Sequence, residues 1–175
     1  MSTALQSLPA DDAKSAVSSA DLRSAMGRFV TGVTILTCYV DGQLVGVTAN
    51  SFHSVSLDPP LISFCLANRA MSLPAFRIAT SYAVCVLASS QTALAMKFAQ
   101  RGADKWSAVD FEHGHSGAPL IAGAIATFEC VPETAVDAGD HVVFIGRVQR
   151  VMHHEGDPLV MHAGAWAQCL PLAAA

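Results

Sequence analysis

Residues 33–52 read VTILTCYVDGQLVGVTANSF, and this stretch decides the fold. Its two halves, 33–40 and 44–52, are rich in the β-branched residues that favour strands. They are joined by Asp41-Gly42, and Asp-Gly between two β-rich runs is typical of a tight hairpin turn. The stretch therefore predicts two antiparallel strands.

Further β-rich runs follow at regular spacing along the chain. We predict strands over residues 61–66, 82–88, 120–131, 141–153 and 159–166. Together with the hairpin this makes about seven strands, and their short links favour antiparallel pairing. A series of this kind is typical of a β-barrel or a β-sandwich. The predicted fold class is mainly β with a few short helices.

Three short helices are predicted between or before these strands. The first has Asp21 as its N-cap and ends at Gly32. Its apolar residues recur at helical spacing: Leu22, Met26, Phe29 and Val30. The other two cover residues 72–79 and 91–101. A loose tail is expected over residues 1–19, which are rich in Ala, Ser and Asp, and a single domain over residues 20–175.

The composition is apolar for a chain of this length. Hydrophobic residues make up 52% and charged residues 14% of the 175 positions, and the mean hydropathy is +0.41. Either membrane insertion or a large buried subunit interface would explain this. No stretch approaches the roughly 20 uninterrupted apolar residues that a spanning helix needs. We therefore expect an oligomer with an apolar interface and no membrane contact.

Several function classes lack their sequence signals. The net charge of −4 and the scattered basic residues provide no footprint for nucleic acid. Five cysteines without a CxxC, and no basic and apolar leader, predict reduced thiols in a cytoplasmic protein. The histidines lack ligand spacing, so no metal site is expected. Neither a GxSxG elbow nor a GxGxxG loop occurs, so any nicotinamide cofactor must bind outside a Rossmann site.

Two polar segments follow predicted strands and are candidates for ligand contacts. The first is Thr48, Ala49, Asn50 and Ser51, whose small side chains let a flat ligand approach the backbone, although an Asx turn explains them equally well. The second runs from Ala67 through Asn68 and Arg69 to Ser72. It offers a hydroxyl and a guanidinium to a phosphate, or merely a helix cap beside a solvated arginine.

Two later segments are candidates of the same kind. Phe98, Ala99, Arg101 and Lys105 provide either an aromatic shelf with phosphate-directed cations or the end of an amphipathic helix. His141 follows Gly139-Asp140 at the start of a strand. It is either a hydrogen-bond donor or proton carrier for a cofactor, or a structural histidine.

Read in order, five segments resemble the short-chain NAD(P)H:flavin oxidoreductase family. Its members are the flavin reductase components of two-component flavin-dependent monooxygenases. The resemblance extends from Leu22 to Trp166. The segments are RSAMGRFVTGVTILT, GVTANSFHSVSLDPPLISFCL, FAQRGADKW, GAPLIAGAIATFEC and GDHVVFIGRV.

The resemblance implies a homodimeric FMN-binding split β-barrel with flavin at the subunit interface. It implies FMN or FAD and NADH or NADPH as cofactors, and transfer of reduced flavin to a separate monooxygenase. The residues implied for the cofactors are Thr48, Ala49, Asn50 and Ser51 at the flavin ring; Cys65, Leu66, Ala67, Asn68, Arg69 and Ser72 at its edge and phosphate; and Phe98, Ala99, Arg101 and Lys105 over it. His141 is the implied catalytic residue, at the nicotinamide and flavin site.

The sequence departs from the family pattern in two places. The phosphate loop has one extra residue between Arg69 and Ser72, and the last strand carries His162 in an atypical MHAGAW run. Two alternative functions stay open on the same fold. One is a flavoprotein that retains FMN and reduces a metal ion or a corrinoid, and the other is a non-enzymatic flavin- or haem-binding module.

Overall fold

A seven-stranded antiparallel β-sheet forms the body of the molecule. The computed structural model describes residues 17–102 and 104–169. The strands are β1 (Thr31–Gly32), β2 (Thr34–Val40), β3 (Gln43–Ala49), β4 (His53–Leu57), β5 (Pro60–Ala67), β6 (Tyr82–Val86), β7 (Phe111–His113), β8 (Pro119–Ile121), β9 (Ala126–Ala138), β10 (His141–His153), β11 (Val160–His162) and β12 (Ala165–Ala167). The main sheet has the order β3-β2-β6-β9-β10-β5-β4; β1-β11-β12 and β7-β8 form two small sheets.

The predicted hairpin is confirmed as β2 and β3. Val40 pairs with Gln43, and Asp41 and Gly42 both have positive φ, as the tight turn between right-twisted strands requires. The second strand is shorter than predicted, because the chain leaves it after Ala49 and begins β4 at His53. β4 was not predicted, because its run HSVSL contains only two apolar residues.

Two predicted strands are each divided in the structure. Residues 120–131 contain the end of β8 and the start of β9, separated by a turn in which the Ala124 amide donates to the Ile121 carbonyl at 3.4 Å. Residues 159–166 fold back at Ala163-Gly164 to form the hairpin of β11 and β12. Local apolar content therefore predicted the strands but not the reversals within them.

The three predicted helices are present as α1 (Ser19–Met26), α2 (Leu73–Ile78) and α3 (Thr92–Ala99). The N-cap of α1 is Ser18, whose Oγ accepts from the Asp21 amide at 3.0 Å, so the prediction of Asp21 as cap was wrong. The predicted end at Gly32 was also wrong, because residues 31–32 pair with β11 as β1. Residues 1–16 of the expected tail lie outside the described residues.

Apolar side chains cover both faces of the main sheet. On one face, under α2, the Phe64 ring contacts Phe76, Tyr82 and Phe144 at centroid distances of 5.8, 5.1 and 5.2 Å. The other face is covered by α3 and β8. Its buried residues include Ile35, Ala83, Cys85, Leu87, Ala95, Phe98, Leu120 and Leu159. The mainly β fold with a few short helices is thus confirmed.

The main sheet ends in β3 on one side and β4 on the other. Its closure into a split barrel, and its pairing with a second copy, therefore stay predictions. The helices of the described part are at most eight residues long, and none of them is long and apolar enough to span a bilayer.

Candidate functional site

A cleft of about 440 Å³ lies beside β3, a size within the range of small-molecule sites. We call it the β3 cleft. Its three walls come from distant parts of the chain, which the sheet brings together. They are β3 itself (Leu44, Val45, Gly46, Val47), the segment after β5 (Ala67, Arg69, Ala70, Met71, Ser72), and the segment after α3 (Ala99, Gln100, Arg101, Gly102, Asp104, Lys105, Trp106).

Ser72 precedes α2 and lines the β3 cleft. The residue is 8% exposed, and its Oγ is buried without a hydrogen-bond partner in the described part of the chain. An unpaired buried hydroxyl costs free energy that a ligand oxygen would recover. The Ser72 hydroxyl is therefore suited to a phosphate or hydroxyl group of a bound molecule.

Three cationic side chains line the same cleft. Arg69 and Arg101 are exposed, on different walls, and neither makes a salt bridge with residues that the structure describes. The Lys105 ammonium donates to the Phe98 and Gly46 carbonyls at 2.8 and 3.3 Å, and partial burial lowers the pKa of Lys105. The two exposed guanidiniums favour an anionic group in the cleft.

The floor of the cleft depends on Gly46 in β3. A Cβ at this position would lie 2.3 Å from the Phe98 ring and 3.1 Å from Trp106. The two rings pack edge to face at 5.0 Å, and Phe98 is fully buried. Phe98 therefore supports the cleft from the core, while Trp106 reaches its lining.

The side chains at the end of β3 bind neighbouring elements. The Thr48 hydroxyl donates to the Ala95 carbonyl of α3 at 2.6 Å. The Asn50 amide donates to Thr31 Oγ1 at 3.3 Å, and the Ala49 carbonyl accepts from Thr34 at 2.8 Å. These bonds hold β3 against α3, β1 and β2, and so fix one wall of the cleft.

Ser51 and Cys65 join the start of β4 to β5. Ser51 Oγ accepts from the Cys65 amide at 2.9 Å and donates to the Cys65 carbonyl at 3.1 Å. Burial raises the pKa of the Cys65 thiol, which stays protonated at neutral pH. Leu66, the next residue, points to the core.

His141 begins β10 opposite Ala67, the last residue of β5 and part of the cleft lining. Its Nδ1 lies 2.7 Å from Asp140 Oδ1. The hydrogen bond with His141, and the charges of His141 and Arg69, hold the pKa of Asp140 below its usual value. Asn68 stabilises this turn through two hydrogen bonds. Its backbone amide donates to the Asp140 carbonyl at 2.9 Å, and its side-chain amide donates to the Gly139 carbonyl at 3.1 Å.

Comparison with known proteins identifies the family. Residues 26–169 match the family described as "Flavin reductase like domain". The chain belongs to this family.

Its relatives include reductases and reductase subunits. FMN reductase (NADH) SmoA of Agrobacterium fabrum is 41% identical over 150 residues, which cover 86% of this chain and 86% of the relative. HsaB of Rhodococcus jostii, the reductase subunit of a flavin-dependent monooxygenase, is 35% identical over 85% of this chain and 77% of its own length. The solved structure of the NADH:FAD oxidoreductase SgcE6 from Streptomyces globisporus, in complex with NAD and FAD fragments, has a TM-score of 0.84 at 36% identity and covers 89% of this chain and 94% of that chain.

In this flavin reductase-like chain, the β3 cleft brings together part of the predicted site. The predicted residues in its lining are Ala67, Arg69, Ser72, Ala99, Arg101 and Lys105. The other predicted residues do not line it: Thr48, Ala49, Asn50, Ser51, Cys65, Leu66, Asn68, Phe98 and His141. The ligand contacts of both groups stay predictions.

Two important residues were not selected from the sequence. Trp106 forms part of the cleft wall, and its signals in the sequence are its position directly after Lys105 and its place at the end of the segment FAQRGADKW. Gly46 is an isolated glycine within a strand pattern, which is a known sign of close backbone or ring approach. The isolated glycine at position 46 could therefore have been recognised in the sequence as a candidate.

Proposed function

We propose that this chain is an NADH-dependent flavin reductase that accepts FMN or FAD and passes the reduced flavin to a separate monooxygenase. The observation that carries the proposal is the buried Ser72 hydroxyl, which has no hydrogen-bond partner among the described residues and lies in a cleft that also holds Arg69 and Arg101. The names of the relatives SmoA, HsaB and SgcE6 support the choice of nicotinamide and the role in a two-component system.

Each part of the cleft has a distinct task in this proposal. Ser72 and Arg69 bind the flavin phosphate, and Arg101 approaches it from the opposite wall. The small side chains of Ala67 and Ala99 let a flat ring system lie close to the backbone. NADH supplies the hydride and the flavin ring accepts it. The protein contributes alignment, which by itself can lower a barrier by several kcal/mol.

His141 is proposed as the residue that positions the reacting rings or moves a proton. Its hydrogen bond to Asp140 fixes the ring orientation next to Ala67. We expect His141→Ala to lower kcat by about tenfold or more. His115→Ala is the matched control because His115 is exposed in the loop after β7. Unchanged steady-state NADH oxidation by the His141 variant would exclude this role.

The deciding experiment is steady-state oxidation of NADH and NADPH with FMN, FAD and riboflavin each in excess. We expect turnover that saturates with added flavin and is faster with NADH. Absence of NADH oxidation with every flavin would contradict the proposal and favour a non-enzymatic binding module. Stoichiometric FMN that survives gel filtration, with turnover independent of added flavin, would favour the flavoprotein that retains its cofactor.

We further propose that residues 20–175 form one domain after a tail over residues 1–19, whose last two residues cap and begin α1, and that two copies associate as split barrels. Support comes from an exposed apolar surface. Phe29 is 60% exposed and stacks on His53 at the start of β4, and Leu57 at the end of β4 is 94% exposed. Burying such side chains against a second copy would remove them from water.

The free thiols and the nicotinamide substrate support a cytoplasmic location.

A further inference from the structure

A second cavity, of about 490 Å³, lies under β7 and the turn between β8 and β9. We call it the β7 cavity. Its floor is apolar and includes Leu120, Ile121 and Ala124, which belong to the core beneath. It has no lining residue in common with the β3 cleft. The two are neighbours, because the Phe111 ring of the β7 cavity contacts the Trp106 ring of the β3 cleft at 5.1 Å.

Thr127, the second residue of β9, lines the β7 cavity. It is 6% exposed, and its Oγ1 is buried without a hydrogen-bond partner among residues 17–102 and 104–169. The neighbouring strands bind only its main chain, through pairing with Cys85 and Met152. Since buried hydroxyls normally have a partner, Thr127 is suited to a polar group of a ligand.

The rim of the cavity carries two carboxylates. Asp110 and Glu112 are exposed, and neither side chain makes a hydrogen bond or salt bridge to the part of the chain that the structure describes. His153 and His154 stand on the rim as well, and His154 Nδ1 is already paired with the Glu155 carbonyl at 2.9 Å. The rim therefore offers two carboxylates to a cation, and the floor is apolar.

We propose that the β7 cavity binds a small amphiphilic amine that carries a hydroxyl group. The apolar body of the ligand lies on Leu120, Ile121 and Phe111. Its hydroxyl pairs with Thr127 in the interior, and its ammonium lies at the rim beside Asp110 and Glu112. This site differs in place and chemistry from the β3 cleft, which carries two guanidiniums and suits anions.

Calorimetric titration with three related probes tests each element of this chemistry. Tyramine has a phenol hydroxyl, an aromatic body and an ammonium; tyrosol replaces the ammonium by a hydroxyl, and phenethylamine lacks the phenol. We expect tyramine to bind with Kd of about 1 mM or tighter, and each of the other two about fivefold or more weaker. Saturating FMN should leave the tyramine affinity unchanged, because the two sites do not overlap.

Three variants assign the contacts. Thr127→Val removes the hydroxyl at equal size, so it should weaken tyramine but not phenethylamine. Asp110→Asn and Glu112→Gln should each weaken tyramine but not tyrosol. Asp41→Asn makes the same charge change in the β2–β3 turn and should weaken none of the probes.

Flavin reduction provides the check on folding, since none of these residues lines the β3 cleft. The proposal is overturned if tyramine does not bind at millimolar concentration, if tyrosol binds equally well, or if the Thr127 and Asp110 variants bind like the Asp41 control. No flavin or nicotinamide is needed for the titration, so its failure would leave the proposed reductase function intact.

Discussion

Three side-chain hydroxyls of the described residues are buried without a hydrogen-bond partner, namely those of Ser72, Tyr82 and Thr127. Two of them line cavities, and the third lies in the core. A buried hydroxyl is costly when unpaired, so its surroundings indicate whether a ligand or simple packing explains it. This distinction leads to a prediction about ligand binding for Ser72 and one about stability for Tyr82.

Ser72→Ala should weaken FMN binding by about tenfold, because it removes a hydrogen bond to a charged phosphate. Riboflavin lacks the phosphate, so its affinity should be unchanged, and fluorescence titration of both flavins measures the difference. The free energy of unfolding should not fall, since the substitution removes an unpaired group. Equal weakening of FMN and riboflavin would exclude a phosphate contact at Ser72.

Tyr82→Phe should leave the free energy of unfolding unchanged or raise it by up to about 1 kcal/mol. The Tyr82 hydroxyl is buried against Gly146, where an added Cβ would lie 2.3 Å from it, and it finds no partner there. Urea unfolding of the variant measures the change, with the exposed Tyr39→Phe as control. A loss of stability in the Tyr82 variant alone would show that the Tyr82 hydroxyl makes a hydrogen bond in the folded protein.

At the scale of elements, three central strands of the main sheet each carry a buried thiol. Burial raises the pKa of Cys38 in β2, Cys85 in β6 and Cys130 in β9 from 9.0 to about 12. Between pH 9.0 and about 12, these thiols stay protonated in the folded protein but ionise in the unfolded chain. Their contribution to stability is complete below pH 9.0 and is lost as the pH rises toward 12.

The free energy of unfolding should therefore decline above the unfolded thiol pKa, by about 1.4 kcal/mol per pH unit for each thiol. Cys38→Ala should remove one thiol's share of this decline. It should also lower the free energy of unfolding by a constant amount that is already present at neutral pH. Urea unfolding under reducing conditions, near neutral pH and about one unit above the thiol pKa, measures both effects. Cys169→Ala should not change the decline, because Cys169 is exposed.

At the scale of the whole molecule, the apolar composition and the exposed residues near β4 favour a dimer. Leu57→Asp should shift the mass in solution from twice the 18.3 kDa chain mass toward a single chain, because it places a charge in the proposed interface. Light scattering after gel filtration measures this. Ile78→Asp is the control, since Ile78 is 63% exposed on α2. A monomeric wild-type chain would contradict the proposed dimer.

Much of the fold could be predicted because its signals are local. The Asp41-Gly42 turn, the 141–153 strand and the three short helices follow from residues close together in sequence. The errors occurred where tertiary pairing decided the outcome. Pairing with β11 turned residues 31–32 into a strand, and pairing with β5 gave a strand to the weakly apolar residues 53–57.

The candidate site was predictable only in part, for the same reason. Arg69 and Ser72 were found because a polar loop before a proline-containing helix is visible in the sequence. Phe98 lies under the cleft, whereas Trp106 lines it. This difference depends on how α3 packs on Gly46. The sequence does not encode this choice locally, because both residues are large and aromatic.

By itself, the VTILTCYVDGQLVGVTANSF stretch determined that the chain folds as an antiparallel β protein, because turn and strand preferences act between near neighbours. Only the tertiary structure decided that β3, the segment after β5 and the segment after α3 enclose one cleft. It alone also decided that the Ser72 and Thr127 hydroxyls are buried without hydrogen-bond partners in the described part of the chain. Burial and hydrogen-bond satisfaction depend on residues distant in sequence, and the packed sheet is what brings those residues together.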